Sequence, residues 1–438
     1  METMEPLHRL CERLGRRFGL VIVTPNPSTI GNTAEEMYFA LLKARREGKK
    51  ALLLFPWCLP GKLGFRLANR ALFALESPHR VARGAWTARL GELLVTLVYC
   101  PLQFVSRLLH KFRGRPLPRA YALPGIGVAT LWQPEEDMAE FSWAVVDGYR
   151  WEEQLSRPLP VGLSERDRRR GEARRRDMGL PAEERFACLH VREGGFHGDS
   201  IAARNATIAN YIPAIREITA RGFWVVRMGD ATMAPLPPLE RVIDYPHSRF
   251  KSELMDIYLL QECKFYVGMA SGIMDAAFLF QKPHVLTNLA TWTIAYPMQR
   301  GDLAIIKHVF SLSEGRYLSL RELLSTELEA QFVFGLGPDY RMVENTPDEI
   351  RDVIVEFLDD PAGRPMSDLQ ERFNRARIEQ GKRLFSKPVH RDPAFERGFR
   401  YRFASRLDSV RGCLGRRFVE QNWEYSQMRF PVAPPHQP

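Results

Sequence analysis

The sequence is poor in the features that mark disulfide-rich, zinc-binding and membrane-spanning proteins. Its 438 residues include six cysteines, which are scattered and form no C-x-x-C pair. This spacing argues against a zinc site and a disulfide framework, and it favours a reducing, cytosolic setting. The chain has no clean run of about 18 to 20 apolar residues, so we predict no membrane-spanning helix. The first residues lack the basic and apolar regions of a signal peptide.

Internal repeats and low-complexity tracts are also missing from the sequence. Hydrophobic residues make up 45% and charged residues 26% of the chain, which are ordinary values for a globular protein. The net charge of +10 favours acidic partners, namely nucleic acid, an anionic membrane or phosphorylated substrates, without choosing among them. A chain of this length is expected to form two domains.

Strand-like and helix-like patterns alternate in the first part of the chain. The apolar run 20–23 is followed by a proline-containing loop, a helix and a second apolar run at 51–55. Thr33 and Glu36 have the spacing of a capping box, so we predict that the helix begins there. A strand, helix and strand in this order indicate a parallel sheet.

The same alternation returns from Phe186, with the order β-α-β-β-α-β-α-β, and predicts a doubly wound parallel sheet. We therefore predict an α/β fold with an N-terminal α/β domain over 1–160 and a second α/β domain over 161–345. A helical extension over 346–438 is expected to pack back on the domains. It begins with a capping box at 346–349.

The segment 93–109 is unusually apolar and is flanked by arginine and lysine residues. A buried helix pair with solvated basic ends is the interpretation that we favour, because short apolar runs are usually buried. The alternative is an amphipathic segment that lies in the plane of an anionic bilayer, where each nearby basic residue contributes about 1 kcal/mol. We expect a cytoplasmic protein, which in the second case contacts the inner face of the cell membrane.

The arginine-rich stretch 166–176 is the feature that most suggests nucleic-acid binding. It is interspersed with Asp167 and Glu172, and it contains no aromatic residue that can stack on a base. A solvated helix face is therefore the favoured interpretation. Nucleic acid is not among the partners that we predict.

Three predicted strand ends of the second region carry polar residues that suit an anionic ligand. Parallel strands place such ends side by side, so we expect these residues to meet at one edge of the sheet. Arginine can bind a pyrophosphate bidentately, and a helix N-terminus attracts phosphate. Each residue alone also suits a structural role, but their recurrence predicts an anion site. The candidates are His190, Arg192, Gly194, Arg204 and Asn205 after the first strand, Arg227, Gly229 and Asp230 after the second, and Ser271 and Gly272 after the fourth, with Asp244 as an alternative to Asp230 for contacting a nucleobase or ribose.

The segments 190–192, 227–230 and 268–272 read H-V-R, R-M-G-D and G-M-A-S-G. They resemble a group of bacterial glycosyltransferases associated with surface-polysaccharide synthesis, and more distantly the fucosyltransferase and protein O-fucosyltransferase superfamily of GT-B fold. In that superfamily, an H-x-R motif opens the nucleotide-sugar half, and its arginine holds the diphosphate. The likeness covers about 186–324 well and the first half of the chain weakly.

In the first half, Gly31 and Asn32 are similar to the end of a G-x-x-G-N loop that faces the donor in the same superfamily. Ser28 stands where that pattern has its leading glycine, and Thr33 stands where glutamine is frequent. The resemblance implies that Gly31 and Asn32 lie on the acceptor side of the cleft.

The resemblance implies a GT-B-like fold, in which two doubly wound α/β domains face each other across a cleft. It implies a metal-independent transfer of a hexosyl or deoxyhexosyl group from a GDP- or UDP-linked sugar to a glycan or lipid-linked acceptor, with no cofactor. Arg192 would stabilise the charge on the β-phosphate, and the other strand-end candidates would bind the donor. The candidate bases are Glu35, Glu36 and His197. Of these, Glu35 is the one that we predict to be catalytic, together with Arg192. Glu36 also suits a helix cap, and Glu35 also suits an exposed position.

Two other functions stay open at this point. The main alternative is a non-catalytic nucleotide- or glycan-binding protein on a GT-B scaffold. A sugar-nucleotide epimerase of similar two-domain build is the other.

Overall fold

The computed structural model describes residues 13–23, 25, 29–55, 68–97, 158–194, 203–292, 299–328, 336–360, 364–384 and 410–424. Within these ranges the chain forms sheets of two, seven and three strands, with helices packed around them. The predicted mixed α/β fold with a parallel sheet is confirmed. Within the same ranges, no helix is both long enough and apolar enough to cross a bilayer.

The first part of the chain forms the predicted β-α-β unit. Strand β1 (Leu20–Val23), helix α1 (Ile30–Arg46) and strand β2 (Lys50–Leu53) follow one another, and the two strands are parallel. Residues 34–42 of α1 are almost completely buried. The helix is followed by Gly48 at φ 63°, a left-handed conformation that favours glycine and ends the helix. The short helix α2 (Arg70–Phe73) comes next.

The predicted start of α1 is wrong, because the helix begins at Ile30, with Thr29 as its N-cap residue. The hydroxyl of Thr33 lies inside the first turn and donates to the Thr29 carbonyl at 2.8 Å. Glu36 is therefore an interior residue of the helix and cannot cap it. Residues three apart are neighbours on any helix, so the capping-box pattern also fits a helix interior.

The seven-stranded sheet is parallel throughout and has the order β12-β8-β7-β6-β3-β4-β5. Where a helix connects two of its strands, the helix returns the chain to the same end of the sheet, so the next strand runs in the same direction. The strands are β3 (Phe186–His190), β4 (Trp224–Arg227), β5 (Val242–Asp244), β6 (Tyr266–Gly268), β7 (His284–Leu289), β8 (Leu303–Ile306) and β12 (Cys413–Leu414), and the helices around them are α3 (Glu165–Asp177), α4 (Ile212–Ala220), α5 (Glu253–Glu262) and α6 (Gly272–Leu279).

The sheet is larger than the sequence pattern predicts, because β8 and β12 extend it beyond β7. A small antiparallel sheet, which was also not predicted, joins β9 (His308–Ser311) to β10 (Arg316–Tyr317) and β11 (Tyr340–Val343). The last part of the chain adds helices α7 (Leu320–Ser325), α8 (Pro347–Asp359), α9 (Asp368–Leu384) and α10 (Arg416–Asn422). The capping box at the start of α8 is confirmed by reciprocal bonds between Thr346 and Glu349.

One continuous core joins residues of both predicted α/β domains. Helix α1 packs against α6, and the rings of Tyr38 and Phe278 lie 4.7 Å apart. The side chain of Asn69 donates to the Glu253 carbonyl at 3.0 Å, which ties α2 to α5. The domain boundaries at 160/161 and 345/346 stay predictions.

The first residues of the apolar segment 93–109 belong to a helix that is formed by residues 86–97. Ala88 and Val95 pack on Leu52 and Leu54, so one face of this helix is buried. The opposite face is exposed and apolar, with Trp86, Leu90, Leu94 and Leu97 on it. Residues 98–109 lie outside the described residues, and the choice between a buried helix pair and a bilayer-bound segment stays open.

The arginine-rich stretch is a largely solvated helix face, as predicted. Within α3, Glu165 pairs with Arg168 at 3.0 Å and with Arg169 at 2.7 Å. Arg175 is the exception, because its guanidinium lies 5.0 Å from the centre of the Phe186 ring and donates to the carbonyls of Pro181 and Glu184. This arginine anchors α3 to the start of β3.

Candidate functional site

The strand order creates a topological switch point between β3 and β6. The chain extends the sheet through β4 and β5 on one side of this point, and through β7 and β8 on the other. In open α/β sheets, ligands bind in the crevice beyond the carboxyl ends of the strands at such a point. His190 at the end of β3 pairs with Gly268 at the end of β6, so the loops after these two strands are neighbours.

Two arginines meet beside this switch point. Arg192 follows β3 and is 9% exposed, and its carbonyl accepts from the Ala206 N–H at 2.9 Å. This bond folds the chain back, so that Arg204 reaches over and donates to the carbonyl of Ala270 in the loop after β6. Burial and the positive charge of Arg204 lower the pKa of Arg192. A bound anion relieves the repulsion between two cations held this way.

The N-terminus of α6 points into the same region. Ser271 is its N-cap residue, but the Ser271 side chain makes no capping bond. Its hydroxyl instead lies 3.1 Å from Nδ1 of His190. The first N–H groups of α6 therefore lack a side-chain cap from this residue, and they can bind an anion.

The N-termini of α1 and α6 touch through two glycines. A Cβ on Gly31 would lie 2.5 Å from the Gly272 Cα, and a Cβ on Gly272 would lie 2.9 Å from the Gly31 nitrogen. Neither position can take a side chain without moving the backbone. The Asp275 carboxylate also lies against Gly31, so α1 has an acidic group beside its N-terminus.

His190 is neutral at physiological pH. Burial, reinforced by the positive charges of Arg227 and Arg192, lowers the pKa of His190 to about 3. A neutral imidazole donates through one nitrogen and accepts through the other. Its contact with Ser271 occupies Nδ1, and Nε2 has no hydrogen-bond partner among the described residues.

The end of β4 has a different environment. Arg227 is 0% exposed, and its guanidinium pairs with Asp244 at 3.1 Å and with Glu193 at 3.4 Å. The two carboxylates also accept from the backbone of the following loop, Asp244 from Leu236 N at 2.9 Å and Glu193 from Ala234 N at 2.7 Å. This network holds the loop onto the sheet, and the predicted donor contacts of Arg227 and Asp244 stay untested.

Gly229 and Asp230 form the turn after β4. Gly229 has φ 144°, and a Cβ there would collide with the sulfur of Met233. The Asp230 carboxylate accepts from the Thr232 N–H at 2.9 Å and is close enough to affect the pKa of His190. Asp230 therefore both holds the turn after β4 and lies close to His190 at the switch point.

Asn205 is joined to a residue that the sequence analysis missed. The ammonium group of Lys307, just after β8, donates to the Asn205 carbonyl at 2.6 Å. Burial lowers the pKa of Lys307 to about 8. The side-chain oxygen of Asn205 is buried without a partner among the described residues. In the sequence, the signal that could have revealed this contact is the single lysine inside the apolar run 303–311.

Glu35 is buried in α1, with 7% of its surface exposed, so the expectation that it suits an exposed position is wrong. It lies one turn beyond Gly31 on the same side of the helix. Glu36 is also buried, at 1%. Asn32 is part of α1, and Gly194 is half-buried after β3. His197 lies outside the described residues.

Among the residues that the structure describes, no group of three or more His, Cys, Asp or Glu side chains could hold a metal ion. A cavity of about 710 Å³ lies at the opposite edge of the sheet, where β8 and β12 begin. Its arginines and carboxylates are mixed, and Arg364 pairs with Asp360 there at 3.1 Å. The positive groups that meet, Arg192 and Arg204, lie instead beyond the carboxyl ends of the strands.

No protein-family model and no curated protein sequence matches the chain. Among solved structures, the ADP-heptose LPS heptosyltransferase II of E. coli is 17% identical over 60% of this chain and 83% of its own, with a TM-score of 0.34. A family 9 glycosyl transferase from Veillonella parvula is 10% identical over 61% of this chain and 80% of its own, with a TM-score of 0.33.

The glycotransferase of kitacinnamycin is 12% identical over 83% of this chain and 95% of its own, with a TM-score of 0.27. All three similar structures are described as glycosyltransferases. The first is a heptosyltransferase, and the second belongs to glycosyl transferase family 9. The resemblance to fucosyltransferases stays a prediction.

Proposed function

We propose that this protein is a glycosyltransferase that moves a sugar from a nucleotide-diphosphate donor to a glycan or lipid-linked acceptor. The observation that carries the proposal is the convergence of Arg192, Arg204, His190 and the α6 N-terminus at the switch point of a parallel sheet. Cationic side chains and a helix N-terminus together suit a diphosphate.

The proposed arrangement is GT-B-like, with the seven-stranded sheet as the donor half and the β1-α1-β2 unit as the acceptor half. The contact between Gly31 and Gly272 supports this arrangement, since it brings the start of α1 to the donor site. An acceptor bound along α1 would then lie next to the sugar of the donor.

The chemistry requires stabilisation of the leaving group. When the bond between the sugar and the β-phosphate breaks, negative charge develops on the phosphate oxygens. Groups that are fixed in advance and aimed at that charge stabilise the transition state, and removing one typically slows turnover about 100- to 1,000-fold. Arg192 is proposed in this role, and the two arginines with the helix N-terminus make the transfer metal-independent in this proposal.

An inverting transfer also requires a base for the acceptor hydroxyl. Glu35 is the proposed base because it is one turn from Gly31 on the side of α1 that carries the contact with α6. Glu35→Gln should lower kcat strongly while donor affinity stays within about threefold. An unchanged kcat would remove Glu35 from the mechanism.

Further details of the proposal come from the resemblance. They are a hexosyl or deoxyhexosyl donor linked to GDP or UDP, a role in surface-polysaccharide synthesis, and a cytoplasmic location with peripheral contact to an anionic membrane. The exposed apolar face of the helical residues 86–97 agrees with a lipid-linked acceptor.

The experiment combines binding and turnover. Thermal shift and calorimetry across GDP, UDP and ADP identify the nucleotide, and a panel of sugars on that nucleotide tests transfer. Arg192→Ala should remove transfer and retain the fold, whereas the surface variant Arg169→Ala should behave as wild type. Activity should survive a chelator. Unchanged turnover in Arg192→Ala, or a strict metal requirement, would contradict the proposal.

The same assays separate the alternatives. Nucleotide or glycan binding with neither transfer nor hydrolysis would indicate a non-catalytic protein. Conversion of the nucleotide sugar without an acceptor and without transfer would indicate an epimerase. Neither alternative is favoured by an observation in the structure.

A further inference from the structure

Three side chains form a chain of contacts that leads into the proposed site. The hydroxyl of Tyr266 lies 3.4 Å from the hydroxyl of Ser271, and Ser271 Oγ lies 3.1 Å from Nδ1 of His190. All three residues are buried. Tyr266 and Ser271 come from β6 and from the loop that follows it, whereas His190 ends the neighbouring strand.

The backbone leaves room for this chain. Gly268 lies between Tyr266 and Ser271 and pairs with His190 across the sheet. A Cβ on Gly268 would come within 2.6 Å of the Tyr266 hydroxyl and 2.5 Å of the His190 carbonyl. Glycine at this position therefore lets the Tyr266 ring cross the strand and reach Ser271.

The direction of the hydrogen bonds follows from counting donors. Burial raises the pKa of Tyr266, so this hydroxyl keeps its proton and must place it on an acceptor. Among the described residues, Ser271 Oγ is the acceptor within reach of Tyr266. If Tyr266 donates to Ser271, then Ser271 can place its own hydrogen on Nδ1 of His190.

The opposite direction is unfavourable. If Nδ1 of His190 carried the hydrogen and donated to Ser271, the Tyr266 oxygen would be the one acceptor among the described residues within reach of the Ser271 hydrogen. Either Ser271 donates to Tyr266 and the Tyr266 hydrogen lacks an acceptor there, or Ser271 accepts from both neighbours and its own hydrogen lacks one. An unsatisfied buried donor carries its full desolvation penalty.

We propose that Tyr266 and Ser271 are positioning residues, which hold His190 in the tautomer that carries hydrogen on Nε2 and so present a fixed donor to an anionic ligand beside Arg192. The part of this inference that concerns the ligand rests on the proposed function. Ser271 then acts through His190, while the backbone N–H groups that follow Ser271, at the start of α6, contact the anion directly.

The charged groups around His190 suit this assignment. Arg227, Arg192 and Lys251 disfavour a proton on both nitrogens, and Asp230 favours it. Burial and the cations prevail, so the imidazole is neutral. A neutral imidazole with a fixed Nε2–H donates to a phosphate oxygen and cannot accept from a hydroxyl at that atom.

The tautomer can be measured in the full-length protein without any ligand. Long-range proton–nitrogen NMR on histidine-labelled protein distinguishes Nδ1–H from Nε2–H, and the signals of His190 are those lost in His190→Gln. At pH 7, we expect a neutral ring with hydrogen on Nε2. Hydrogen on Nδ1, or a doubly protonated ring, would overturn the assignment whether or not a nucleotide binds.

Ser271→Ala should remove the preference for this tautomer. The matched control is Tyr211→Phe, which deletes a hydroxyl from a second buried pair, Tyr211 with Thr287 at 2.6 Å, keeps the bond from Thr287 to the Gly268 carbonyl, and should leave the His190 signals unchanged. An unchanged tautomer in Ser271→Ala would overturn the role of Ser271. If that variant does not fold, the wild-type measurement still decides the tautomer.

Binding of the nucleotide identified by calorimetry supplies the second readout. His190→Gln keeps a donor near the Nε2 position and should bind within about threefold of wild type, whereas His190→Asn should bind about tenfold more weakly. Equal loss in both variants would overturn the donor role of Nε2. Failure of every nucleotide to bind, with the expected tautomer present, would contradict the proposed function and leave the hydrogen-bond chain supported.

Discussion

Arg192 and Arg227 belong to the ends of neighbouring strands, and both are buried, but their surroundings differ. Arg227 is enclosed by Glu193 and Asp244, which neutralise it and tie it to the following loop. The positive charge of Arg204 acts on Arg192, and the α6 N-terminus is close by. A buried arginine beside a second arginine and a helix N-terminus therefore suits an anionic ligand, whereas one enclosed by two carboxylates is a structural link.

The largest effect is expected for Arg227→Met. Removing this side chain leaves Glu193 and Asp244 partly buried without their cation and releases the loop after β4. Breaking such a pair typically costs about 3 to 5 kcal/mol. Chemical denaturation of the variant measures this loss. A stability within about 0.5 kcal/mol of wild type would show that the two strand ends do not differ in the way described.

Arg192→Met is expected to have the opposite profile. The free energy of unfolding should fall by less than in Arg227→Met, because the substitution also removes repulsion with Arg204. Turnover should fall about 100- to 1,000-fold. Measuring both quantities on both arginine variants tests the comparison directly, and a loss of stability here with normal turnover would reverse it.

Two buried histidines allow a comparison by pH. The pKa of His190 is lowered to about 3 and that of His284 to about 4, in both cases mainly by burial. Below about pH 6.5 the unfolded chain takes up protons that these folded sites refuse, so stability falls as the pH falls, by at most about 1.4 kcal/mol per pH unit for each histidine.

His190→Gln and His284→Gln should therefore both flatten the acid side of the stability curve, measured by denaturation between pH 6.5 and 4. His284→Gln should leave the affinity for nucleotide unchanged, and His190→Gln should keep it within about threefold of wild type. An unchanged slope in both variants would mean that these rings are protonated in the folded protein.

The smallest effect is expected at the contact between α1 and α6. Gly31→Ala places a methyl group against the Gly272 backbone and should destabilise the protein by about 1 to 3 kcal/mol. The control is Gly91→Ala, where a Cβ would meet only the end of the flexible Leu54 side chain. Thermal unfolding of both variants measures the contact, and equal melting temperatures would argue against it.

The sequence was sufficient to predict the strands that meet at the switch point. The apolar runs of β3 and β6, each ending in glycine or polar residues, are local patterns, and parallel pairing follows from the intervening helices. His190, Arg192 and Ser271 could be placed at one edge on that basis. The partners of Arg227 could not, since they depend on the register of β4 against β5 and on the path of a loop.

Other features had no local signal strong enough to reveal them. The start of α1 at Ile30 depends on its packing against α6, whereas Thr33 and Glu36 fit a cap equally well by spacing. The link between Tyr266 and His190 crosses two strands. Strand β12 has two residues, which is too short for any periodic pattern.

The position of β12 also affects how the protein is made. Leu303–Ile306 is fully buried, yet one of its sides is completed only by Cys413–Leu414, from much later in the chain. During synthesis, β8 therefore presents an unpaired apolar edge until residue 414 has left the ribosome, and such edges recruit other strands. Chains truncated before this residue should aggregate as they are translated, even though every residue of the proposed donor site is already present in them.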